Sequence, residues 1–110
     1  MAHAIIHTDD VEGQHGGVFK PLTAPLGVGA FKINQLALPG GAEGPEHDHV
    51  GDGQDEVYVV IAGGGTIVAD GEEIELRPGH VVFCSPDSRR QMRAGDEGLT
   101  WVGIGAAGTG

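Results

Sequence analysis

Glycine and proline punctuate this chain at short intervals, 21 and 6 of 110 residues, and the stretches between them are brief runs of Val, Ile, Leu, Phe and Thr. Frequent turn formers between short β-prone runs point to an all-β sandwich or barrel. No segment sustains a 3.6-residue apolar period, which argues against a long amphipathic helix. The expected strands are VFKPL, FKINQLAL, EVYVVIA, GTIVA, EEIEL, HVVFCS, RQMRA and LTWVGIG. The sharpest local signal is TIVADGEEIEL, where Asp70-Gly71 divides two runs as a type I′ hairpin turn requires at its positive-φ positions. On the second arm, Ile74 and Leu76 share one face, and Glu73 and Glu75 the other. Gly63-Gly64-Gly65 lacks the Lys and Ser/Thr of a phosphate loop and reads as a turn or bulge. Residues 1–17 carry no pattern and are expected to form a loose arm or a short edge strand.

A chain of this length makes one domain, residues 1–110, able to bury a core of its own. The 16 acidic residues outnumber 6 basic ones, a balance that repels phosphate backbones and anionic headgroups, so neither nucleic acid nor membrane is an expected partner. No apolar run approaches the roughly 18 residues of a membrane span, and no secretory leader pattern is visible. The single cysteine, Cys84, has no internal disulfide partner and reads as a small core residue. A cytoplasmic protein is the expectation.

The stretch GAEGPEHDHVGDGQDEVYVVIAGGG carries the chemistry. Residues i and i+2 of a strand point to one face, so His47 and His49 present two imidazoles side by side. A carboxylate from a neighbouring strand would complete a 2-His-1-carboxylate site with positions left open for water or substrate, and Glu56 is the natural candidate. Gln54 shares the Glu56 face and is the alternative ligand or a supporting partner. The competing reading makes the histidines a polar turn lining a barrel mouth without metal.

Gly41-x5-His47-x-His49-x6-Glu56-x6-Gly63 resembles the first motif of the cupin superfamily, G-x5-H-x-H-x3,4-E-x6-G, with an inner loop longer by about two residues. Counting forward from His49 by the family spacing selects Gln54; counting back from Gly63 selects Glu56. The second cupin motif, G-x5-P-x-G-x2-H-x3-N, aligned from Gly79, keeps only its leading glycine. It places Arg90 where the family carries its fourth metal ligand, and an arginine stays protonated and does not coordinate. The resemblance spans residues 31–104 and implies a cupin-type double-stranded β-helix, a jelly-roll barrel of two packed antiparallel sheets. It also implies a homodimer and a metal or ligand in the barrel mouth.

Two functions from different classes follow. One is a barrel that binds a divalent transition metal (Zn, Fe, Mn or Ni) through His47, His49 and Glu56, presents it to a small polar or anionic molecule, and acts as a metal-assisted enzyme if it is an enzyme at all. There Tyr58, Arg90 and Gln91 are the candidate ligand-binding residues, the guanidinium fork matching a carboxylate. The other is a metal-free module with Arg90 and Glu56 lining an anion pocket, or an accessory scaffold subunit. An inward Arg90 beside Glu56 is expected to exclude a metal; in the metal reading Arg90→His is expected to restore the fourth ligand and raise metal affinity, and in the metal-free reading to cost stability by leaving Glu56 without its cation. Phe31, Phe83 and Trp101 are assigned to the core, His80 to the surface, and His3, His7 and His15 to no specific role.

Overall fold

The computed structural model describes residues 2–108; Met1, Thr109 and Gly110, which the single-domain reading also spans, lie outside the described residues. Six antiparallel strands carry the fold: β1 (Phe19–Pro21), β2 (Lys32–Leu38), β3 (Gln54–Ala69), β4 (Glu72–Leu76), β5 (Val81–Cys84) and β6 (Arg90–Ala107). A four-residue helix, α1 (Thr23–Leu26), links β1 to β2 and ends on Gly27 in the left-handed region, a feature not anticipated from the sequence. The strand order is β1-β2-β6-β3-β4, with β5 on the free flank of β3.

Two pairs of expected strands prove to be continuous. EVYVVIA and GTIVA merge into β3, and RQMRA and LTWVGIG merge into β6. Their lower halves, Gln54–Val60 against Trp101–Ala107, join β2 and β5; their upper halves, Gly65–Ala69 against Arg90–Ala94, join β4. The register slips between Val60 and Ala62 and again between Gly63 and Gly65. At the first slip β3 carries one extra residue, Ile61, and at the second Gly64 of β3 faces residues 95–98 of β6; these irregularities bend the strands, so each long strand leaves one sheet and enters the other. Glycine is required at this bend: a Cβ on Gly63 would overlap the Gly98 carbonyl oxygen, and one on Gly65 the Arg93 carbonyl oxygen. The buried cluster draws on both halves, with Leu38, Tyr58, Val60, Leu99 and Trp101 packed with Ile67, Leu76 and Met92. The ladder thus folds back on itself into a barrel with one core.

Asp70 and Gly71 adopt φ of 52° and 83° in the two-residue turn between Ala69 and Glu72, as the type I′ hairpin demands. Alternation holds along β3, where Tyr58 and Val60 face the core. It places two aromatic residues differently from expectation. On β5, Cys84 (2% exposed) takes the inward parity, so Phe83 (64%) points outward; Phe31, just before β2, is 39% exposed. Trp101 is buried. Ile74 shares the parity of Leu76 but stays exposed, because β4 is an edge strand and only its far end reaches the core. In the N-terminal arm, a 3-10 turn at Thr8–Asp10 is capped by His7 Nδ1, which accepts from Asp9 N at 3.0 Å, and Lys20 Nζ donates to Thr8 O at 2.8 Å. A bridge between Gln14 and Phe19 brings the end of the arm beside β1.

Candidate metal centre and its cavity

The segment before β3 delivers the histidines through main-chain pairing. His47 exchanges both backbone hydrogen bonds with Arg90, at 2.9 Å each way, and His49 N donates to Pro86 O at 2.9 Å. Residues directly opposite in an antiparallel pair point to the same side, so His47 and Arg90 both turn inward. The Val50–Gly53 loop then reverses the chain, Gly53 N donating to His49 O at 2.8 Å with Gly53 at φ 67°, and β3 brings Glu56 back beneath the two rings.

His47, His49 and Glu56 each offer a donor atom, and these atoms lie within 4.8 Å of one another. His49 Nε2 is 3.0 Å and His47 Nε2 3.6 Å from Glu56 Oε1. Each ring is oriented from its other nitrogen. His49 Nδ1 lies 2.9 Å from Asp52 Oδ1, and His47 Nδ1 lies 3.2 Å from the Pro45 carbonyl. In the neutral rings Nδ1 is then the donor and Nε2 carries a lone pair facing Glu56. Three acceptors converging on one point repel each other unless protons or a cation lie between them. Two imidazoles and a carboxylate, each ring fixed by an outer acceptor, form a donor set that suits a divalent transition metal.

The same oxygen, Glu56 Oε1, also accepts from Tyr58 Oη at 2.6 Å and from Arg90 Nη2 at 2.5 Å. Arg90 also donates through Nε to Tyr58 Oη at 3.0 Å and through Nη1 to Ser88 O at 2.8 Å. Burial works to raise the Glu56 pKa, but hydrogen bonds from His47, Tyr58 and Arg90 and the charge of His49 outweigh it and hold the group down at about 2. The hydrogen bond to Glu56 raises His47 above its ordinary value, against the opposing effect of burial. Burial, reinforced by the Glu56 hydrogen bond, pushes the Tyr58 hydroxyl well up, so it remains a donor. The His49 contact in turn lowers the Asp52 carboxyl.

Arg90 is fully buried and is not part of the cavity wall. Its Nη2 donates to Oε1, the same Glu56 oxygen that faces His47 Nε2 and His49 Nε2, so Arg90 and a metal would share that oxygen, as expected of an inward arginine. Its guanidinium is not among the groups lining the cavity. Gln91 has the opposite parity and faces a surface recess beside Arg89, where its Nε2 donates to Gly44 O at 3.0 Å. Gln54 keeps the parity of Glu56, but its Oε1 rests over Gly105 rather than on the cavity wall. Tyr58 does line the cavity, with its hydroxyl already engaged.

The cavity measures about 320 Å³. Its polar lining gathers at His47, His49, Glu56 and Asn34, while Phe19, Leu36, Leu38, Met92 and Trp101 make an apolar wall. Those wall residues come from β1, β2 and β6 and were missed by sequence reasoning, which followed motif spacing; their signal, apolar residues of core parity, is the same as that of any packed interior. Trp101 Nε1 is buried and has no hydrogen-bond partner among the described residues.

A family model described as a cupin domain matches residues 35–105, well over half of the chain. No curated protein matches the sequence. Among solved structures, a cupin protein from Bacteroides fragilis superposes with a TM-score of 0.81 at 25% identity, covering 97% of this chain and 86% of that one. A Cupin 2 conserved barrel domain protein from Salinispora arenicola gives 0.75 at 20% identity, with coverage of 96% and 88%. A protein from Silicibacter pomeroyi described as a sugar phosphate isomerase of the cupin superfamily gives 0.79 at 22% identity, with coverage of 96% and 76%. The doubled-back antiparallel ladder, the His-x-His pair above its core and the family match lead to one conclusion: this chain belongs to the cupin superfamily.

Proposed function

We propose that this barrel binds a divalent transition metal through His47, His49 and Glu56 and presents it to a small molecule held in the cavity. The observation that supports this reading is the convergence of His47 Nε2, His49 Nε2 and Glu56 Oε1, with both Nδ1 atoms already engaged by Pro45 and Asp52. A metal bound there would supply Lewis acidity toward a ligand oxygen. The chain's own residues hold that arrangement. Arg90 and Tyr58 keep Glu56 ionised and fixed in orientation, Asp52 and Pro45 set the ring tautomers, and the apolar wall offers water few hydrogen-bond partners.

A metal-free binding module is the second reading, favoured by the Arg90–Glu56 pair, which neutralises the carboxylate without an ion. Titration of metal-stripped protein with Zn²⁺ and Co²⁺ separates the two. One ion per chain with micromolar or tighter affinity, with four- or five-coordinate cobalt absorption, is the expected result, together with loss of both in His49→Ala. Absence of stoichiometric binding in the folded wild-type chain would leave the metal-free module.

A further inference from the structure

We infer that the ligand of this cavity is a hydrophobic organic acid: an aromatic or alkyl body carrying one anionic oxygen headgroup, with the headgroup at the His47, His49 and Glu56 end. The inference rests on the metal reading above and goes on to name the class of molecule.

The body follows from the wall. Phe19, Leu36, Leu38, Met92 and Trp101 offer carbon surface, and the one hydroxyl among the aromatic wall groups, that of Tyr58, is spent on Glu56 and Arg90. The Asn34 amide and the indole N–H of Trp101 are the polar side-chain groups beyond the metal end, too few for a polyhydroxylated body, most of whose hydroxyls would be stripped of water without a partner, a cost that an apolar body of equal size avoids. The size follows from the volume. A dry cavity of roughly 150 Å³ takes a benzene, so about 320 Å³ accommodates a ring with a short chain or a second ring. The charge follows from bookkeeping at the polar end. The buried Arg90 cation cancels Glu56, and with neutral imidazoles a divalent ion would leave an excess of positive charge in a partly desolvated site, reduced by one through the Asp52 carboxylate on His49. An anionic oxygen group is the complement of that excess.

Gly103 lies on the cavity wall, and a Cβ there would stand 3.6 Å from Tyr58 Cδ1 and 3.8 Å from Leu36 Cδ1, ordinary contact distances. Alanine therefore fits without displacing the wall, and valine projects further into the cavity.

The experiment compares three probes of similar size on zinc-loaded protein: 4-phenylbutyrate, gluconate and 4-phenylbutanol. Binding is read by calorimetry and by the fluorescence of Trp101, the single tryptophan of the chain and part of the cavity wall. Phenylbutyrate is expected to bind at least tenfold more tightly than either of the others. Its affinity should fall about threefold in Gly103→Ala and tenfold or more in Gly103→Val, with zinc stoichiometry and melting temperature kept as controls for folding. Gluconate binding as tight as phenylbutyrate, or phenylbutyrate affinity unmoved by Gly103→Val in a folded, zinc-loaded chain, overturns the apolar body. Phenylbutanol binding as tight as phenylbutyrate overturns the anionic headgroup. If zinc fails to bind, the metal reading falls, and the hydrophobic-acid assignment stands only if metal-stripped protein prefers phenylbutyrate to both gluconate and phenylbutanol; equal binding of phenylbutanol there overturns the acid.

Discussion

Glu56 is the residue on which the site turns, because one carboxylate oxygen meets two imidazoles, a phenol and a guanidinium. Its low folded pKa makes stability depend on pH. A carboxyl at about 2 when folded and near 4.5 when unfolded contributes about 3 kcal/mol that is present above the unfolded value and lost as pH falls toward the folded one. His47 acts with the opposite sign: its raised pKa stabilises the metal-free chain below 6.5 and the contribution fades as pH rises through the folded value. A metal reverses this, since coordination needs the neutral ring. The thermal shift caused by zinc is therefore expected to grow from pH 5.5 to pH 8; an equal shift at both would mean that these histidines are not ligands. Arg90 is the other half of the balance. Arg90→Met or Arg90→His strands Glu56 beside Tyr58 and is expected to cost about 3–5 kcal/mol, with the acid limb of the stability profile moving up in pH, as urea melts across pH 3–8 would reveal. Any metal affinity gained by Arg90→His is therefore expected to come together with that loss.

At the level of elements, the two long strands make the barrel, and their bends rest on a few glycines. Gly65→Ala drives a methyl into the Arg93 carbonyl across the ladder, and a backbone atom cannot step aside as a flexible side chain does. A loss of about 2 kcal/mol or more is expected in denaturant titrations. Gly71→Ala strains a residue at φ 83° but meets nothing within 4 Å, so it should cost only about 1 kcal/mol. A reversed order would place the critical bend at the hairpin rather than in the strands. Run lengths and turn residues revealed both sites in advance. What they did not reveal is that GGG continues a strand, since a bulge and a hairpin turn draw on the same residue types.

Across the whole molecule, the outward face of the lower sheet has an unusual composition. Phe83 lies beside Val57, which lies beside Ile104; Val81 lies beside Val59, which lies beside Val102. None of these is charged, in a chain of net charge −10, and Val81 and Phe83 are more than 60% exposed. Two copies of so acidic a chain repel each other over most of their surface, which leaves this neutral apolar face as the place where they can meet. A homodimer is expected on that basis rather than through open barrel edges. Light scattering should return twice the chain mass, and Phe83→Lys should halve it by placing like charges across a two-fold contact. A wild-type chain that stays monomeric at every concentration would remove the idea.

By itself the sequence determined whatever depends on near neighbours. Alternation and turn chemistry establish an all-β chain, Asp70-Gly71 makes its hairpin with only the torsions of two residues to satisfy, and the His-x-His pair with Glu56 was legible because strand parity and a short loop bring those three side chains together. Only the tertiary structure decided which parity of β5 faces the core, and so whether Phe83 or Cys84 is buried. It alone brought the buried Arg90 onto Glu56 and kept it off the cavity wall, and built an apolar wall from Phe19, Leu36 and Trp101, residues far apart along the chain. The reason is physical: a period of two specifies which residues share a face, but which face is inside is set by how distant strands pack over it.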